Sequence, residues 1–267
     1  MRRRPVGTPR AEDFEATEAA VGRPGPGEVL LKNLYLSIDP AIRGWMSDAK
    51  SYLPPIELGA PVRSGTLSQI VESNVEGWPV GQIVQALASW ESYSVVPASA
   101  LHGKVESIDG IPLASMLSVL GGTGLTAYFG LLDVGRPQEG ETVLVSAAAG
   151  GVGSIVGQIA RIHGCRVVGL TGSDEKCTWL TEELGYDAAI HYKTADLRLA
   201  LKEACPGGID VFFDSVGGEI LNTVLTRINR GARIVLCGAI SQINASELPP
   251  GPRNYVQLLA KSARMEG

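Results

Sequence analysis

The chain has 267 residues, more than one average domain and enough for two modest ones, since compact units run roughly 100 to 200 residues. With 45% apolar and 19% charged residues and 33 glycines it can build sizeable cores and many tight turns, which excludes wholesale disorder. Its 23 basic and 28 acidic side chains leave a net charge of -5, so no global positive field exists to gather nucleic acid or anionic lipid.

At the start, Arg2, Arg3 and Arg4 are followed by Pro5, Gly7 and Pro9 and then by Glu12, Asp13, Glu15 and Glu18. No apolar stretch follows the basic residues, so the sequence predicts no targeting segment. From Gly27 to about Ser107, short alternating apolar runs such as Val29-Leu30-Leu31, Ile83-Val84-Gln85-Ala86 and Tyr93-Ser94-Val95-Val96 are separated by Gly, Pro, Asn and Ser clusters, the pattern of an all-β unit. Residues 111–135 read as a helix-rich connector. The apolar stretch over 115–132 is interrupted by Gly121, Gly122 and Gly124 and is too broken for a membrane span, which needs ~20 clean residues.

From Gly140 the period changes, and apolar runs alternate with helical patterns in the manner of repeated βαβ units. Strands are predicted over 142–147, 166–171, 188–192, 211–214 and 233–238, with helices over 152–163, 174–184, 196–204, 219–229 and 255–264. A doubly wound dinucleotide fold normally has six strands, and the chain stops at Gly267 just where the sixth is expected to begin. The cysteines, Cys165, Cys177, Cys205 and Cys237, are too far apart for a CxxC pair, and reduced thiols in a cytoplasmic protein are the expectation.

The strongest local signal runs from Val143 to Ser154: a buried strand, a turn reading Ala147-Ala148-Ala149-Gly150-Gly151-Val152-Gly153, and a helix with Ile155, Val156, Ile159 and Ala160 on one face. Gly150 lets the backbone approach a pyrophosphate, Gly153 lets the helix lie close to the strand, and the free amides of the first helical turn point at the anion. Ala148 stands where such turns usually carry their first glycine. At the end of the second strand, Gly172-Ser173-Asp174-Glu175-Lys176 places both carboxylates past the strand, in a first helical turn, while Ser173 and Lys176 can reach a 2'-phosphate. NADPH is therefore expected over NADH.

Together with Leu36-Ser37-Ile38-Asp39-Pro40-Ala41-Ile42-Arg43-Gly44, Gly124-Leu125-Thr126-Ala127-Tyr128, Phe213-Asp214-Ser215-Val216-Gly217-Gly218-Glu219, Cys237-Gly238-Ala239-Ile240-Ser241 and Pro250-Gly251-Pro252-Arg253-Asn254-Tyr255, these segments give the chain its likeness to a known family. It resembles the zinc-independent medium-chain dehydrogenase/reductases, in particular the prostaglandin and leukotriene reductases, the plant alkenal reductases and the bacterial curcumin reductases. The resemblance implies an α/β protein: a GroES-like β-rich domain over 1–112, short of its first strand, and an NADP-binding Rossmann domain over 113–267, short of its final strand. It also implies that Gly151, Val152, Gly153 and Ser154 hold the pyrophosphate, Lys176 and Tyr192 the 2'-phosphate end, and Ser215 with Cys237, Gly238, Ala239, Ile240 and Ser241 the nicotinamide side, with Thr126 a further cofactor contact. Members often carry tyrosine where Ala41 and Ile243 stand and asparagine in place of Ser215, so the substrate pocket around Ala41 and Ile243 is expected to be wider or less polar.

The activity implied is NADPH-dependent reduction of an α,β-unsaturated ketone or aldehyde, with hydride delivered to the β-carbon and the charge that develops on the carbonyl oxygen met by a hydrogen-bond donor. Tyr52 and Tyr128 are the protein's candidates for that donor, a packing role being the stronger reading of each, and the nicotinamide ribose hydroxyl is the alternative. The only histidines are His102, His163 and His191 and every cysteine lies in the second half, so the catalytic zinc of alcohol dehydrogenases has no ligand set. Two other readings stay open: reduction of quinones, and a nucleotide-binding protein or truncated variant with little activity. The partner expected is a small molecule; the resemblance implies a homodimer through the sheet edge, but an edge short of its final strand leaves aggregation or a different pairing open.

Overall fold

A five-stranded antiparallel sheet organises the first of two units into which the chain divides, Met1–Gly121 and Gly122–Gly267. The structure, a computed structural model, describes residues 1–49, 51–247 and 249–267. In the first unit the strands are β1 (Glu28–Leu36), β2 (Arg63–Ser73), β3 (Ile83–Ser89), β4 (Tyr93–Pro97) and β5 (Leu101–Val105), in the order β4-β1-β2-β3-β5. Alternation turns Val29 and Leu31 of β1, Ile70 of β2 and Val84 and Ala86 of β3 into one core. Further along β2 the inward positions are Ser64, Thr66 and Ser68, all buried. Their hydroxyls find partners, Ser64 on the Ser37 carbonyl at 2.5 Å and Ser68 on Asn33 Oδ1 at 2.7 Å, which removes the cost of burying them.

Helix α1 (Pro40–Trp45) starts with proline at its first turn and packs Ile42 and Trp45 with Met46, Ile56 and Val62 in a second cluster. The opening residues close over it. The N-terminal amine donates to the Ala60 carbonyl at 2.6 Å, Arg3 pairs with Asp13 at 2.6 Å, and the Arg43 guanidinium donates to the carbonyls of Pro5 and Gly7.

The second unit begins with α2 (Gly122–Phe129) and a π-helical turn (Gly130–Gly135), followed by β6 (Thr142–Val145), α3 (Gly151–Ile162), β7 (Arg166–Thr171), α4 (Asp174–Glu182), β8 (Ala188–His191), α5 (Leu197–Ala204), β9 (Ile209–Asp214), α6 (Gly218–Leu225), β10 (Ile228–Leu236), α7 (Val256–Lys261) and β11 (Arg264–Glu266). The strands are all parallel, in the order β11-β10-β9-β6-β7-β8. This is the doubly wound arrangement, and the order reverses between β6 and β9. Strand residues are buried on both faces: Leu144 and Phe212 pack with Leu201, Leu221 and Val224 of α5 and α6, while Val143, Val145, Val211 and Phe213 pack with Leu131 and with Val156 and Ala160 of α3.

The sheet corrects the expectation of five strands and a missing sixth. Helix α7 stops at Lys261, three residues short of the predicted end, because Ser262 takes a left-handed conformation (φ 50°) and turns the chain back. Arg264, Met265 and Glu266 are thereby freed to pair in parallel with Arg233, Ile234 and Val235, and β11 is the sixth strand. Strand β10 likewise begins at Ile228, where the sequence predicts the end of a helix.

Candidate functional site

Helix α3 leaves the carboxyl end of β6 through a turn with little slack. Ala147 is held at φ 48°, the Gly150 amide closes onto the Ala147 carbonyl at 2.8 Å, and Ala148 N–H donates to Leu170 O on the neighbouring strand. A Cβ at 153 would lie 2.8 Å from Ala148 Cα and closer still to Ala147 O, so only glycine lets the helix seat on the turn. A Cβ at 157 would run into the ring of Tyr186, whose buried hydroxyl donates to the Gly153 carbonyl at 2.7 Å. Burial pushes the Tyr186 phenol well above its usual pKa, so it stays a neutral donor. The result is a helix of 12 residues whose N-terminus has no side-chain cap and no acidic residue in its first turn, with Gly150 and Gly151 exposed. Its first amides are open to an anion.

The ends of β7 and β8 lie side by side, Thr171 opposite His191, with Tyr192 N–H donating to Thr171 O at 3.1 Å. Ser173 caps α4 by accepting from the Lys176 amide, and Lys176 is exposed in the first turn. Tyr192, Gly172 and Ser173 are half-buried around the same strand ends. Beside this turn an open depression of about 520 Å³ is lined by Ala149, Lys176 and Trp179 among others. Asp174 hydrogen-bonds His191 Nδ1 at 2.9 Å.

Across the reversal point the ends of β6 and β9 are joined by buried hydrogen bonds. The Ser146 hydroxyl donates to Asp214 Oδ1 at 2.7 Å and accepts from the Ser215 amide at 2.8 Å, and Asp214 also accepts from the amides of Val216 and Gly217. Burial raises the Asp214 pKa while those amides and the Ser146 hydroxyl pull it down. The loop after β10 runs alongside: Cys237 and Gly238 donate to Asp214 O, Ile240 to Ser215 O, and Ser241, through both amide and hydroxyl, to Val216 O. Cys237 is half-buried and its thiol is pushed up by burial, with Ser215 beside it pulling down. A cavity of about 390 Å³ opens here, lined by Asp214, Gly217, Cys237, Gly238 and Ala239 together with Pro250 and its neighbours.

The second unit thus brings together, at the carboxyl ends of its strands, residues 150–154, Lys176, Tyr192, Ser215 and residues 237–241. Thr126 is exposed on α2 and its hydroxyl donates back to Gly122 O at 2.7 Å. Ile243 is half-buried in the loop after β10, whereas Ala41 belongs to the first unit and packs against the Ile42 and Trp45 cluster. Tyr52 is 75% exposed with its ring edge-on to Trp45, and Tyr128 is 51% exposed beside Phe129. Sequence reasoning assigned no role to Tyr186 or Lys193, and it singled out Asp214 only as part of a segment carrying the family likeness. Lys193 carried a readable signal, because it follows Tyr192 at a predicted strand end.

A model of the N-terminal domain of oxidoreductases matches residues 1–103, and one of zinc-binding dehydrogenases matches residues 151–267. The chain is 50% identical to the putative NADP-dependent oxidoreductase YfmJ of Bacillus subtilis, over 100% of this chain and 79% of that one. It belongs to the NADP-dependent medium-chain dehydrogenase/reductase family. Within that family it is 45% identical to the NADPH-dependent curcumin reductase of Escherichia coli, over 99% of this chain and 77% of the relative. The structure of CurA from Vibrio vulnificus in complex with NADPH superposes with a TM-score of 0.91 at 43% identity, over 100% of this chain and 80% of that one. The residues fit the family's cofactor: the uncapped α3 N-terminus suits a diphosphate, and Gly153 is the cradle a Cβ would fill. Among the described residues no three His, Cys, Asp or Glu side chains are grouped to hold a metal ion, and no helix is long and apolar enough to cross a membrane.

Proposed function

We propose that the chain is a reductase that uses NADPH to saturate the C=C bond of α,β-unsaturated ketones or aldehydes. The observation that carries this reading is the uncapped N-terminus of α3 at the reversal point of the sheet, in a chain 45% identical to an NADPH-dependent curcumin reductase. The amides of Gly151, Val152 and Gly153 with Ser154 bind the diphosphate, and Gly150 gives it backbone-close access. Lys176 and Tyr192 take the 2'-phosphate end. Ser215 and the loop from Cys237 to Ser241 line the nicotinamide side, and Ala41 and Ile243 border the substrate.

When bound, NADPH supplies a hydride to the substrate's β-carbon. The chain's part is chiefly to hold the reacting atoms in register, since orientation of this kind lowers a barrier by ~7–11 kcal/mol without a dedicated acid. Electron density then gathers on the carbonyl oxygen, where a donor is required; Tyr52 and Tyr128 are the protein's candidates, and the nicotinamide ribose hydroxyl is the alternative. A proton from solvent completes the saturated α-carbon. We further assign the protein to the cytoplasm, with a second copy of itself as partner.

The test is turnover of a simple enone with NADPH deuterated at the transferring position. Deuterium at the β-carbon of the saturated product is the expected result. Tight NADPH binding without enone consumption would replace this reading with that of a nucleotide-binding protein, and consumption of quinones alone would replace it with quinone reduction.

A further inference from the structure

We propose that Lys193 is a second cation of the 2'-phosphate subsite and sets the preference for NADPH over NADH. This deepens the cofactor reading above and rests on it. Strands β7 and β8 are parallel neighbours, so the residues leaving them, Gly172-Ser173 and Tyr192-Lys193, meet at one edge of the site. The Lys193 side chain lies across Gly172: a Cβ built there would be 3.0 Å from Lys193 Cε and 3.3 Å from its Nζ. Glycine at 172 therefore leaves the space in which the lysine stem rests, and the ammonium is brought to the turn whose next residue caps α4 and whose helix carries Lys176 in its first turn. The same turn contains the feature that would favour NADH, carboxylates close to the strand end able to accept from a ribose diol, in Asp174 and Glu175. Asp174 is engaged instead, by His191 Nδ1 at 2.9 Å. Two ammonium groups at the turn, with one of its two carboxylates paired to a histidine, favour a dianion over a hydroxyl.

Wild type, Lys193→Ala and Lys193→Arg are titrated with NADPH and with NADH, following nicotinamide fluorescence, with circular dichroism melts as the check on folding. The NADPH-to-NADH affinity ratio is expected to fall about tenfold or more in Lys193→Ala and to be largely retained in Lys193→Arg, as loss and retention of one phosphate-facing charge require. A ratio in Lys193→Ala within about twofold of wild type overturns the role of Lys193 while leaving the cofactor reading intact. A wild-type chain that binds the two nucleotides equally, or neither, overturns the cofactor reading and this inference with it.

Discussion

Gly153 faces the backbone of Ala147 and Ala148, with Ala148 Cα 2.8 Å from where a Cβ would sit. Gly153→Ala is expected to cost ~1–3 kcal/mol by overpacking, and to weaken NADPH binding because the amides at the start of α3 shift with the helix. A thermal melt and a nucleotide titration check the two effects; unchanged affinity would mean that α3 does not hold the diphosphate. Cys205 gives a different kind of handle. It is fully buried, and burial pushes its thiol up to about 11, against the opposing pull of Arg166 and Arg227. A raised pKa means that the folded chain holds the proton more tightly than the unfolded one, so this contribution is complete below pH ~8.5 and is lost as pH climbs towards ~11. Urea midpoints measured across that interval should decline, and Cys205→Ala should flatten part of the decline. What the sequence could offer at this scale was local: residues 150–154 are consecutive and Ser173 to Lys176 form one turn, because each proposed contact group sits at a single helix or strand end. Ser146 with Asp214, and Gly153 with Tyr186, are partners 68 and 33 positions apart, and no spacing rule joins them.

Elements were readable where apolar content and burial coincide. Strands β6, β7, β8 and β9 are short, nearly continuous apolar runs because helices cover both faces of the sheet, and residues 166–171 were placed as the structure has them. Strand β2 falls inside the all-β stretch read over 27–107, although three of its inward residues are Ser64, Thr66 and Ser68, which make its own alternation look polar on both faces. Strand β11 escaped the reading because its three residues follow a helix that ends on backbone conformation at a serine, with no glycine to announce the stop. That serine supports a prediction. Ser262 is exposed and left-handed, so Ser262→Gly is expected to relieve strain and raise stability by ~0.5–1 kcal/mol, read as an increase in the denaturation midpoint. A decrease would mean that the Ser262 side chain contributes more to the α7 terminus than its backbone costs.

Across the whole molecule, every group proposed to hold the nucleotide falls in Gly122–Gly267. NADPH at a hundred times its dissociation constant should therefore add ~2.7 kcal/mol to the stability of that unit, and amide hydrogen exchange should slow most at residues 150–154, 172–176, 214–218 and 237–241. Absence of protection at 150–154 would remove the diphosphate from α3. Tyr186 adds a consequence for how such protection spreads. It stands between α4 and β8, its ring fills the hollow left by Gly157 and Gly169, and its hydroxyl grips the first turn of α3. The segment proposed for the adenosine end and the helix proposed for the diphosphate are thus moored to one rigid phenol, so loosening either would slacken the other.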